Sequence, residues 1–317
     1  MQPIITSIQE DAIILSEGMC PMRTVSIQAP AKINLHLQVG SLRPDGFHDI
    51  CSLFQAVSFY DDIIMELTEK EGEIIIEGDF PCLPEDNLIF KTIELFRKNC
   101  SDQRGVKVRV TKRIPSEAGL GGGSSDAAAV LKGLMLLLEI HPGNHALFTM
   151  ASQLGSDVPF FLKYPSAVVT GRGEILEDTG HVPSLYGVLV KGAGAGISTA
   201  AAYREIDHAF EKGILDQYVL TKEDMLKAYL HEKPEEWPFF NSFLETYRKE
   251  SKPLEFISKL LYDAEAIFAG LSGSGSAMFG LFHSQRSAMN AEQSLKGQFP
   301  FVERINFLNS IPDAVVI

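Results

Sequence analysis

A glycine-rich stretch at residues 115–128 constrains the fold more than any other part of the sequence, because four of its glycines fall within five residues. Alternating valines at residues 106–110 predict a half-buried strand before it. Residues 127–139 are rich in alanine and leucine and predict a helix after it, with one of residues 124–126 as the N-cap. Such a loop offers unpaired N–H groups and a favourable helix dipole to an anion, so the stretch predicts a phosphate-binding site.

Other interpretations of this stretch fit less well. A flexible turn that only caps a helix is the structural alternative, but dense glycine clusters rarely form only to turn a chain. No lysine follows the glycines, so the stretch is not a P-loop. The dinucleotide-binding pattern begins at Gly119 and Gly121 but meets Ser124 where its third glycine should stand. The sequence therefore predicts a phosphate cradle of another kind.

The composition excludes several classes of partner. A net charge of −13 argues against a nucleic-acid partner, and a protein this acidic that binds polyphosphate must gather its cations locally or recruit Mg²⁺. No apolar run reaches membrane-spanning length, which predicts no membrane partner. The four cysteines show no C-x-x-C spacing, so we expect free thiols and a cytoplasmic protein.

A strand at residues 30–39 places Lys32 and Asn34 on one face, about 7 Å apart. This face is either the solvated side of an edge strand or a pair of contacts to a phosphoryl group and a substrate oxygen. Lys112 and Arg113, at the entrance to the glycine-rich stretch, are likewise either phosphate contacts or ordinary strand-end charges.

Three other motifs also have a structural and a functional interpretation. Phe47 and His48 follow a Pro-Asp-Gly turn, and they either pack within the fold or stack on and read a flat ring. Asp157 precedes Pro159, and it is either a helix N-cap or a partly desolvated general base beside the following phenylalanines. A glycine-serine stretch at residues 272–276 is either a hairpin or a second loop of the site.

The length of the chain predicts two domains, and the sequence pattern resets near residues 164–165. We therefore predict an N-terminal extension at residues 1–22, a first domain at residues 23–165 and a second domain at residues 166–317. The strand predicted at residues 167–170 is assigned to the second domain. The alternation of strands and helices in that domain predicts an α/β sandwich.

Three motifs together resemble the GHMP kinase superfamily: the strand around Lys32, the central P-x-x-x-G-L-G-G-G-S-S loop and the late S-G-S-G-S loop. Residues 46–48 and 154–161 narrow the resemblance to members that act on a cytidine-containing alcohol. The resemblance implies an α+β (α/β two-layer) GHMP kinase fold. It implies an ATP-binding, ribosomal-protein-S5-like N-terminal domain and a ferredoxin-like α/β sandwich as the C-terminal domain, with the active site between them.

The implied activity is ATP-dependent phosphorylation, with Mg²⁺, of the 2-hydroxyl of 4-(cytidine 5′-diphospho)-2-C-methyl-D-erythritol in non-mevalonate isoprenoid synthesis. In this resemblance Asp157 matches the catalytic base and Lys32 matches its partner. Phe47 and Tyr203 match the rings that sandwich cytosine, and His48 matches the reader of its edge. The positions matched to ATP are Pro115, Ser116, Glu117, Ala118, Gly119, Leu120, Gly121, Gly122, Gly123, Ser124, Ser125 and Asn87. The positions matched to the substrate are Asn34, Phe47, His48, Thr199, Tyr203, Gly273, Ser274 and Gly275.

Two positions depart from the resemblance, and two other functions compete with it. The family often has tyrosine where Phe47 stands, and Glu117 would repel a triphosphate unless it points outward or reaches Mg²⁺ through water. The competing functions are another GHMP kinase, of the homoserine or mevalonate type, and a catalytically silent ligand sensor. The presence of both Lys32 and Asp157 favours an enzyme, because a sensor does not need a base and its partner.

Overall fold

The computed structural model describes residues 23–193, 199–213, 220–247 and 252–317. The predicted extension at residues 1–22 lies outside the described residues.

The first part of the chain contributes six strands and four α-helices within the described residues. In chain order they are β1 (Thr24–Leu42), β2 (His48–Thr68), β3 (Ile74–Glu77), α1 (Leu88–Cys100), β4 (Gly105–Thr111), α2 (Gly122–Leu138), α3 (Asn144–Leu154), α4 (Val158–Lys163), β5 (Ser166–Thr170) and β6 (Ile175–Asp178).

The described residues that follow contribute five strands and five α-helices. In chain order they are β7 (Tyr186–Lys191), α5 (Thr199–Glu211), α6 (Lys222–His231), α7 (Ser242–Tyr247), α8 (Lys252–Asp263), β8 (Phe268–Leu271), β9 (Ala277–Phe282), α9 (Gln285–Leu295), β10 (Phe301–Asn306) and β11 (Val315–Val316).

These strands form two sheets. Within the described residues the larger sheet has seven strands, and its main path runs β11–β1–β2–β4–β3, with β5 paired to β2 and β6 paired to β5. The smaller sheet is antiparallel, in the order β10–β7–β9–β8. Helices pack against these sheets, so the described residues form the α+β architecture that the sequence predicts.

The strands β5 and β6 follow the predicted domain boundary at residue 165, yet they belong to the larger sheet. Phe54 of β2 pairs with Ala167 of β5 across this boundary. β11, near the end of the chain, also joins the larger sheet through β1. A division by sheet membership would therefore fall after Asp178, and the division into residues 23–165 and 166–317 stays a prediction.

The strand β1 extends beyond the strand predicted at residues 30–39, because its pairing with β2 continues through local irregularities. Their pairing shifts register between Pro30 and Ala31 and again between Asn34 and His36. Irregularities of this kind bend a strand and re-aim its side chains. Lys32 and Asn34 lie between the two shifts and are only 4% and 2% exposed. The interpretation of this face as a solvated edge strand is therefore wrong.

Three apolar layers hold the sheets in place. One lies between the larger sheet and helices α1–α4 and includes Phe96 and Phe160. The second lies between the two sheets and includes Ile33 of β1 and Phe279 of β9. The third covers the other face of the smaller sheet with α8 and α9. Because both sheets contribute to the second layer, β1 is held against the hairpin that carries the late glycine-serine loop.

A side chain caps the start of α1, whereas none caps the start of α2. The Asn87 side chain caps α1 by accepting a hydrogen bond from the N–H of Ile89 at 2.9 Å. α2 begins at Gly122, its cap is Gly121 with a φ of 73°, and no side chain caps it. The predicted cap within residues 124–126 is wrong, because a left-handed glycine starts the helix earlier.

Candidate functional site

A cavity of about 350 Å³ lies between the glycine-rich stretch and the start of α1, and we call it the first cavity. Residues 114–124 supply much of its wall, and Asn87 adds a polar group. The apolar side chains Phe80, Leu88 and Ile89 also line it. An apolar surface beside a loop of backbone donors suits a flat ring joined to a phosphate chain.

The backbone of the glycine-rich stretch is shaped for the close approach of an anion. Gly119 and Gly121 have φ values of 77° and 73°, and Glu117 adopts the same left-handed conformation at 52°. The first hydrogen bond within α2 runs from the N–H of Ser125 to the carbonyl of Gly121 at 2.9 Å. The N–H groups ahead of that bond have no acceptor within the helix and point toward its N-terminus. Together with the helix dipole they form an anion-binding group.

The late glycine-serine loop packs directly on the glycine-rich stretch. The hydroxyl of Ser272 donates to the carbonyl of Gly119 at 2.8 Å, and the N–H of Ala277 donates to the carbonyl of Ala118 at 3.1 Å. A Cβ added at Gly119 would lie 1.9 Å from the Ser272 carbonyl oxygen, so only glycine fits there. Since β8 and β9 are paired strands, the hairpin interpretation is correct, and the same hairpin brings its loop to the site.

A second cavity, of about 260 Å³, adjoins the first, and Gly119 and Gly121 line both of them. Lys32 and Asp157 lie in the wall of this second cavity. The two cavities thus meet at the glycine-rich stretch, beside the predicted catalytic pair. The remaining lining residues are Asn34, Leu37, Ile50, Phe54, Thr199, Tyr203, Phe243, Gly273 and Ser274.

The side chain of Lys32 is fixed in this wall by polar and aromatic contacts. Its Nζ donates to Asn34 Oδ1 at 2.6 Å and lies 3.7 Å from Asp157 Oδ2. The same atom lies 4.6 Å from the centroid of the Phe54 ring. Burial lowers the pKa of Lys32, and the carboxylate of Asp157 opposes that shift. The backbone N–H of Lys32 donates to the Leu120 carbonyl at 2.9 Å, which ties β1 to the glycine-rich stretch.

Asp157 stands directly before α4, but its side chain makes no capping hydrogen bond. Asp157 thus occupies the N-cap position that one interpretation assigns to it, but without the side-chain hydrogen bond of a capping residue. The carboxylate is 31% exposed and lines the second cavity opposite Lys32. Burial raises the pKa of the Tyr203 hydroxyl, and the charge of Asp157 adds to that shift. A carboxylate placed in this way is available to accept a proton from a bound hydroxyl.

Asn34 connects β1 with the late glycine-serine loop. Its Oδ1 accepts hydrogen bonds from Lys32 Nζ and from the N–H of Gly273, the second at 2.8 Å. Its Nδ2 donates to Ser52 Oγ at 2.9 Å, and that hydroxyl donates to the carbonyl of His36. Because both ends of the amide have partners, the oxygen is held toward the lysine.

The aromatic residues are not arranged as an open pair of rings. His48 stacks on Tyr203, with ring centroids 5.2 Å apart and 28° between the planes. Phe47 lies on the turn between β1 and β2, is 53% exposed, and has the guanidinium of Arg172 4.9 Å from its ring centroid. The Nδ1 of His48 donates to the Gly40 carbonyl at 2.9 Å. One face of Tyr203 is thus covered by His48.

Besides Phe47 and His48, two of the predicted site residues line neither cavity. Ser125 is buried within α2. The N–H of Gly275 donates to the Ser272 carbonyl at 3.0 Å and closes the turn of the late loop. Glu117 is an exposed residue in the wall of the first cavity, so its carboxylate would still repel a triphosphate bound there.

The sequence does not predict a charged cluster in the wall of the first cavity. Lys112 Nζ donates to Asp61 Oδ2 at 2.5 Å and to Asp126 Oδ2 at 2.6 Å. Burial raises the pKa of Asp126 to about 7 against the opposing charge of Lys112, and the carboxylate of Asp61 adds to the shift. Lys112 therefore binds protein carboxylates, in agreement with its interpretation as an ordinary strand-end charge. The signal that points to the cluster is a single carboxylate within the apolar helix α2.

Sequence reasoning also misses Ser52 and Asn241, which are buried and hydrogen-bonded around the site. The signal for Asn241 is its place directly before α7, where asparagine commonly caps a helix.

In the part of the chain that the structure describes, no group of three or more histidine, cysteine, aspartate or glutamate side chains is placed to hold a metal ion. Among the described helices, none combines the length and the apolar character needed to span a bilayer.

Comparison with protein families and known proteins gives consistent matches. The model of the GHMP kinases N terminal domain matches residues 87–163, and that of the GHMP kinases C terminal domain matches residues 225–300. A 4-diphosphocytidyl-2-C-methyl-D-erythritol kinase of Treponema pallidum is 33% identical over 288 residues, which cover 90% of this chain and 99% of that protein.

Solved structures agree with these matches. A crystal structure of 4-(cytidine 5′-diphospho)-2C-methyl-D-erythritol kinase has a TM-score of 0.74 at 30% identity, over 89% of this chain and 98% of that chain. A homoserine kinase from Cytophaga hutchinsonii has a TM-score of 0.67 at 18% identity, over 100% of both chains. At that identity the likeness concerns the fold alone.

Proposed function

The chain belongs to the 4-diphosphocytidyl-2-C-methyl-D-erythritol kinases of the GHMP kinase superfamily, and we propose that it transfers the γ-phosphoryl group of ATP to the 2-hydroxyl of 4-(cytidine 5′-diphospho)-2-C-methyl-D-erythritol. The observation that carries the proposal is the meeting of two cavities at Gly119 and Gly121, beside Lys32 and Asp157. Donor and acceptor held in adjoining cavities are already positioned, and positioning is most of what phosphoryl transfer requires.

ATP is assigned to the first cavity. The apolar side chains Phe80, Leu88 and Ile89 offer contact area to a purine ring, and Asn87 offers a polar group beside them. The unpaired N–H groups at the start of α2 face the phosphate chain, where the helix dipole favours negative charge.

The acceptor alcohol is assigned to the second cavity, where Lys32 and Asp157 would act on its hydroxyl. Asp157 accepts the hydroxyl proton as the oxygen attacks the γ-phosphorus, and the bond from that phosphorus to the bridging oxygen of ADP breaks. Lys32, held in place by Asn34, keeps the carboxylate oriented and offsets the negative charge that gathers during transfer. Positive charge at a buried position is worth more to this step than at the surface, because the surrounding dielectric is low.

Mg²⁺ is proposed to accompany ATP, and the residues present fit it. Mg²⁺ in kinases is usually held by one or two carboxylates together with phosphate oxygens and water. The carboxylate of Glu117, in the wall of the first cavity, is the candidate for this role. When bound, the ion would neutralise charge on the phosphates.

The cytosine ring is proposed to lie near Phe47 and Tyr203. Phe47 presents an exposed aromatic ring, and Tyr203 lines the second cavity. His48 follows Phe47 in the sequence and stacks on Tyr203, so it connects the two rings. Its Nε2 lies 3.3 Å from Asp207 Oδ1, and this nitrogen would have to leave the carboxylate to bond to the edge of a base. The predicted cytoplasmic location stays a prediction.

A coupled assay of ADP release with three alcohols tests the proposal. We expect turnover with 4-(cytidine 5′-diphospho)-2-C-methyl-D-erythritol and little or none with homoserine or mevalonate. Preference for homoserine or mevalonate would replace the proposed substrate. An absence of ADP release with all three, while ATP still binds, would favour the ligand sensor.

A further inference from the structure

The segment between α6 and α7 is bound to β1 beside the site. The backbone N–H of Leu37 donates to the Phe240 carbonyl at 2.9 Å, and Leu37 also forms an isolated parallel β-bridge with Asn241. The predicted site residues Lys32 and Asn34 lie earlier on the same strand. This segment therefore has a fixed position relative to the catalytic pair.

Asn241, the last residue of that segment, holds the late glycine-serine loop with the NH₂ group of its side-chain amide. It is 4% exposed, and its Nδ2 donates to the carbonyls of Leu271 at 2.8 Å and Gly273 at 2.9 Å. Its Oδ1 accepts from the N–H of Phe243 at 2.9 Å, at the start of α7. Both hydrogens and the oxygen of the amide are therefore occupied.

The loop position that Asn241 sets is the one that orients Asn34. Gly273 donates its N–H to Asn34 Oδ1 at 2.8 Å, and the same oxygen accepts from Lys32 Nζ. Gly273 also fits tightly, since a Cβ added to it would lie 2.9 Å from the Cα of Gly119. A shift of the Gly273 backbone is therefore passed on to Asn34 and to the glycine-rich stretch.

We propose that Asn241 is a positioning residue for phosphoryl transfer, which acts by fixing the Gly273 backbone and, through it, the amide of Asn34 and the ammonium of Lys32. The inference rests on the proposed kinase function. The proposal gives a role to the segment between α6 and α7, which contains none of the predicted site motifs. It also predicts that phosphoryl transfer depends on a side chain that contacts neither substrate.

The Asn241→Asp substitution tests this role. The new side chain has the same shape and keeps an acceptor for the Phe243 N–H, but it cannot donate to the two loop carbonyls and its charge repels them. We expect kcat to fall by about 10²-fold, the usual cost of misplacing a catalytic group by about 1 Å. Should this variant fail to fold, Asn241→Ser carries the same test without a buried charge.

A matched control separates positioning from stability. Ser242→Ala, next in sequence and equally buried, removes the hydrogen bond to Val39 but no bond to the late loop. We expect it to lower the thermal midpoint while kcat changes by less than about twofold, the usual limit of coupling between independent positions.

A double-mutant cycle with Asn34 gives the decisive readout. If Asn241 acts through Asn34, the Asn241→Asp substitution should lower kcat by less than about twofold further in an Asn34→Ala background. An equal loss of kcat in both backgrounds, or an unchanged kcat in Asn241→Asp alone, would overturn the inference. Wild-type turnover is measured first: its absence would count against the proposed function, whereas normal wild-type turnover with an unaffected variant counts only against Asn241.

Discussion

The ammonium of Lys32 lies in a buried wall where burial lowers its pKa and the Asp157 carboxylate opposes that shift. A charge kept at such a position costs stability unless it is bound by partners. Here the partners are Asn34, at 2.6 Å from its Nζ, and Asp157, at 3.7 Å. The side chains that stabilise the Lys32 ammonium are thus the same side chains to which we assign roles in phosphoryl transfer.

Replacement of Asp157 tests the general base directly. We expect Asp157→Asn to lower kcat by about 10²–10⁴-fold, the usual contribution of a positioned base, while the affinity for ATP stays close to that of the wild type. Single-turnover kinetics and ATP titration measure the two quantities. The control is Asp263→Asn, which neutralises an exposed carboxylate at the end of α8. Weakened ATP binding with normal turnover would remove Asp157 from the role of base.

The exposed ring of Phe47 allows a test that hardly disturbs the fold. We expect Phe47→Ala to raise KM for the cytidine substrate by the equivalent of about 1–3 kcal/mol, the usual worth of a stacked base, with no change in the thermal midpoint. KM for ATP should stay the same. Equal KM values for the cytidine substrate in variant and wild type would show that the base does not use this ring.

The Asp126 carboxyl predicts a pH dependence of stability. Burial raises its pKa from an ordinary 3.8 to about 7, and the neighbouring carboxylate of Asp61 adds to this shift while the charge of Lys112 opposes it. Between those pH values the unfolded chain loses a proton that the folded protein keeps, so the free energy of unfolding falls as pH rises, by up to about 1.4 kcal/mol per pH unit.

Urea unfolding of the wild type and of Asp126→Asn from pH 4 to pH 7 measures this effect. The asparagine mimics the protonated carboxyl, so the wild type should lose stability relative to the variant as pH rises. Asp263→Asn, which removes an exposed carboxyl, is measured alongside as the control variant. A constant difference for Asp126→Asn would mean that the carboxyl is ionised across the whole range.

At the scale of elements, two glycines of the glycine-rich stretch have different structural roles. Gly119 has a φ of 77° and no room for a Cβ, since the added atom would lie 1.9 Å from the Ser272 carbonyl oxygen. Gly123 lies in the first turn of α2, and its nearest contact would be a Leu88 methyl group at 3.7 Å. Packing therefore requires a glycine at position 119, whereas Gly123 leaves open space in the wall of the first cavity.

The Gly123→Ala and Gly119→Ala substitutions distinguish these two roles. We expect Gly123→Ala to keep or raise the thermal midpoint, because alanine favours a helix over glycine by about 0.5–1 kcal/mol, and to raise KM for ATP because the methyl group stands where phosphate approaches. Gly119→Ala should lower the thermal midpoint strongly. A Gly123→Ala variant with unchanged KM for ATP would support a loop that only caps the helix.

At the scale of the whole molecule, two sheets with a shared apolar layer hold two loops together. The carbonyl of Gly119 and the hydroxyl of Ser272, far apart in sequence, meet at 2.8 Å, so each cavity is complete only in the assembled fold. The charge of the molecule acts over the same scale. A net charge of −13 repels anionic substrates before they reach the site.

The dependence of turnover on ionic strength follows from that charge. We expect kcat/KM for ATP to rise as potassium chloride is raised from about 0.01 M to about 0.15 M at fixed free Mg²⁺, because salt shortens the range of the repulsion from about 30 Å to about 8 Å. A fall in kcat/KM over this interval would show that cations close to the site, and not the net charge, govern the encounter.

The sequence by itself determined the features that depend on neighbouring residues. The spacing of residues 115–128 predicted a loop followed by a helix, because both depend on local conformation. The resemblance of three motifs predicted the family, which the relatives confirm. The roles of the individual site residues stay predictions.

Tertiary structure alone decided the contacts between distant parts of the chain. It placed β5 and β6 in the larger sheet, stacked His48 on Tyr203, bound Lys112 between two carboxylates and brought Asn241 to the late glycine-serine loop. Periodicity reports which face of an element is buried, but not which element covers it. A hydrogen bond such as that from Gly273 to Asn34 spans 239 residues, and no local pattern encodes its partner.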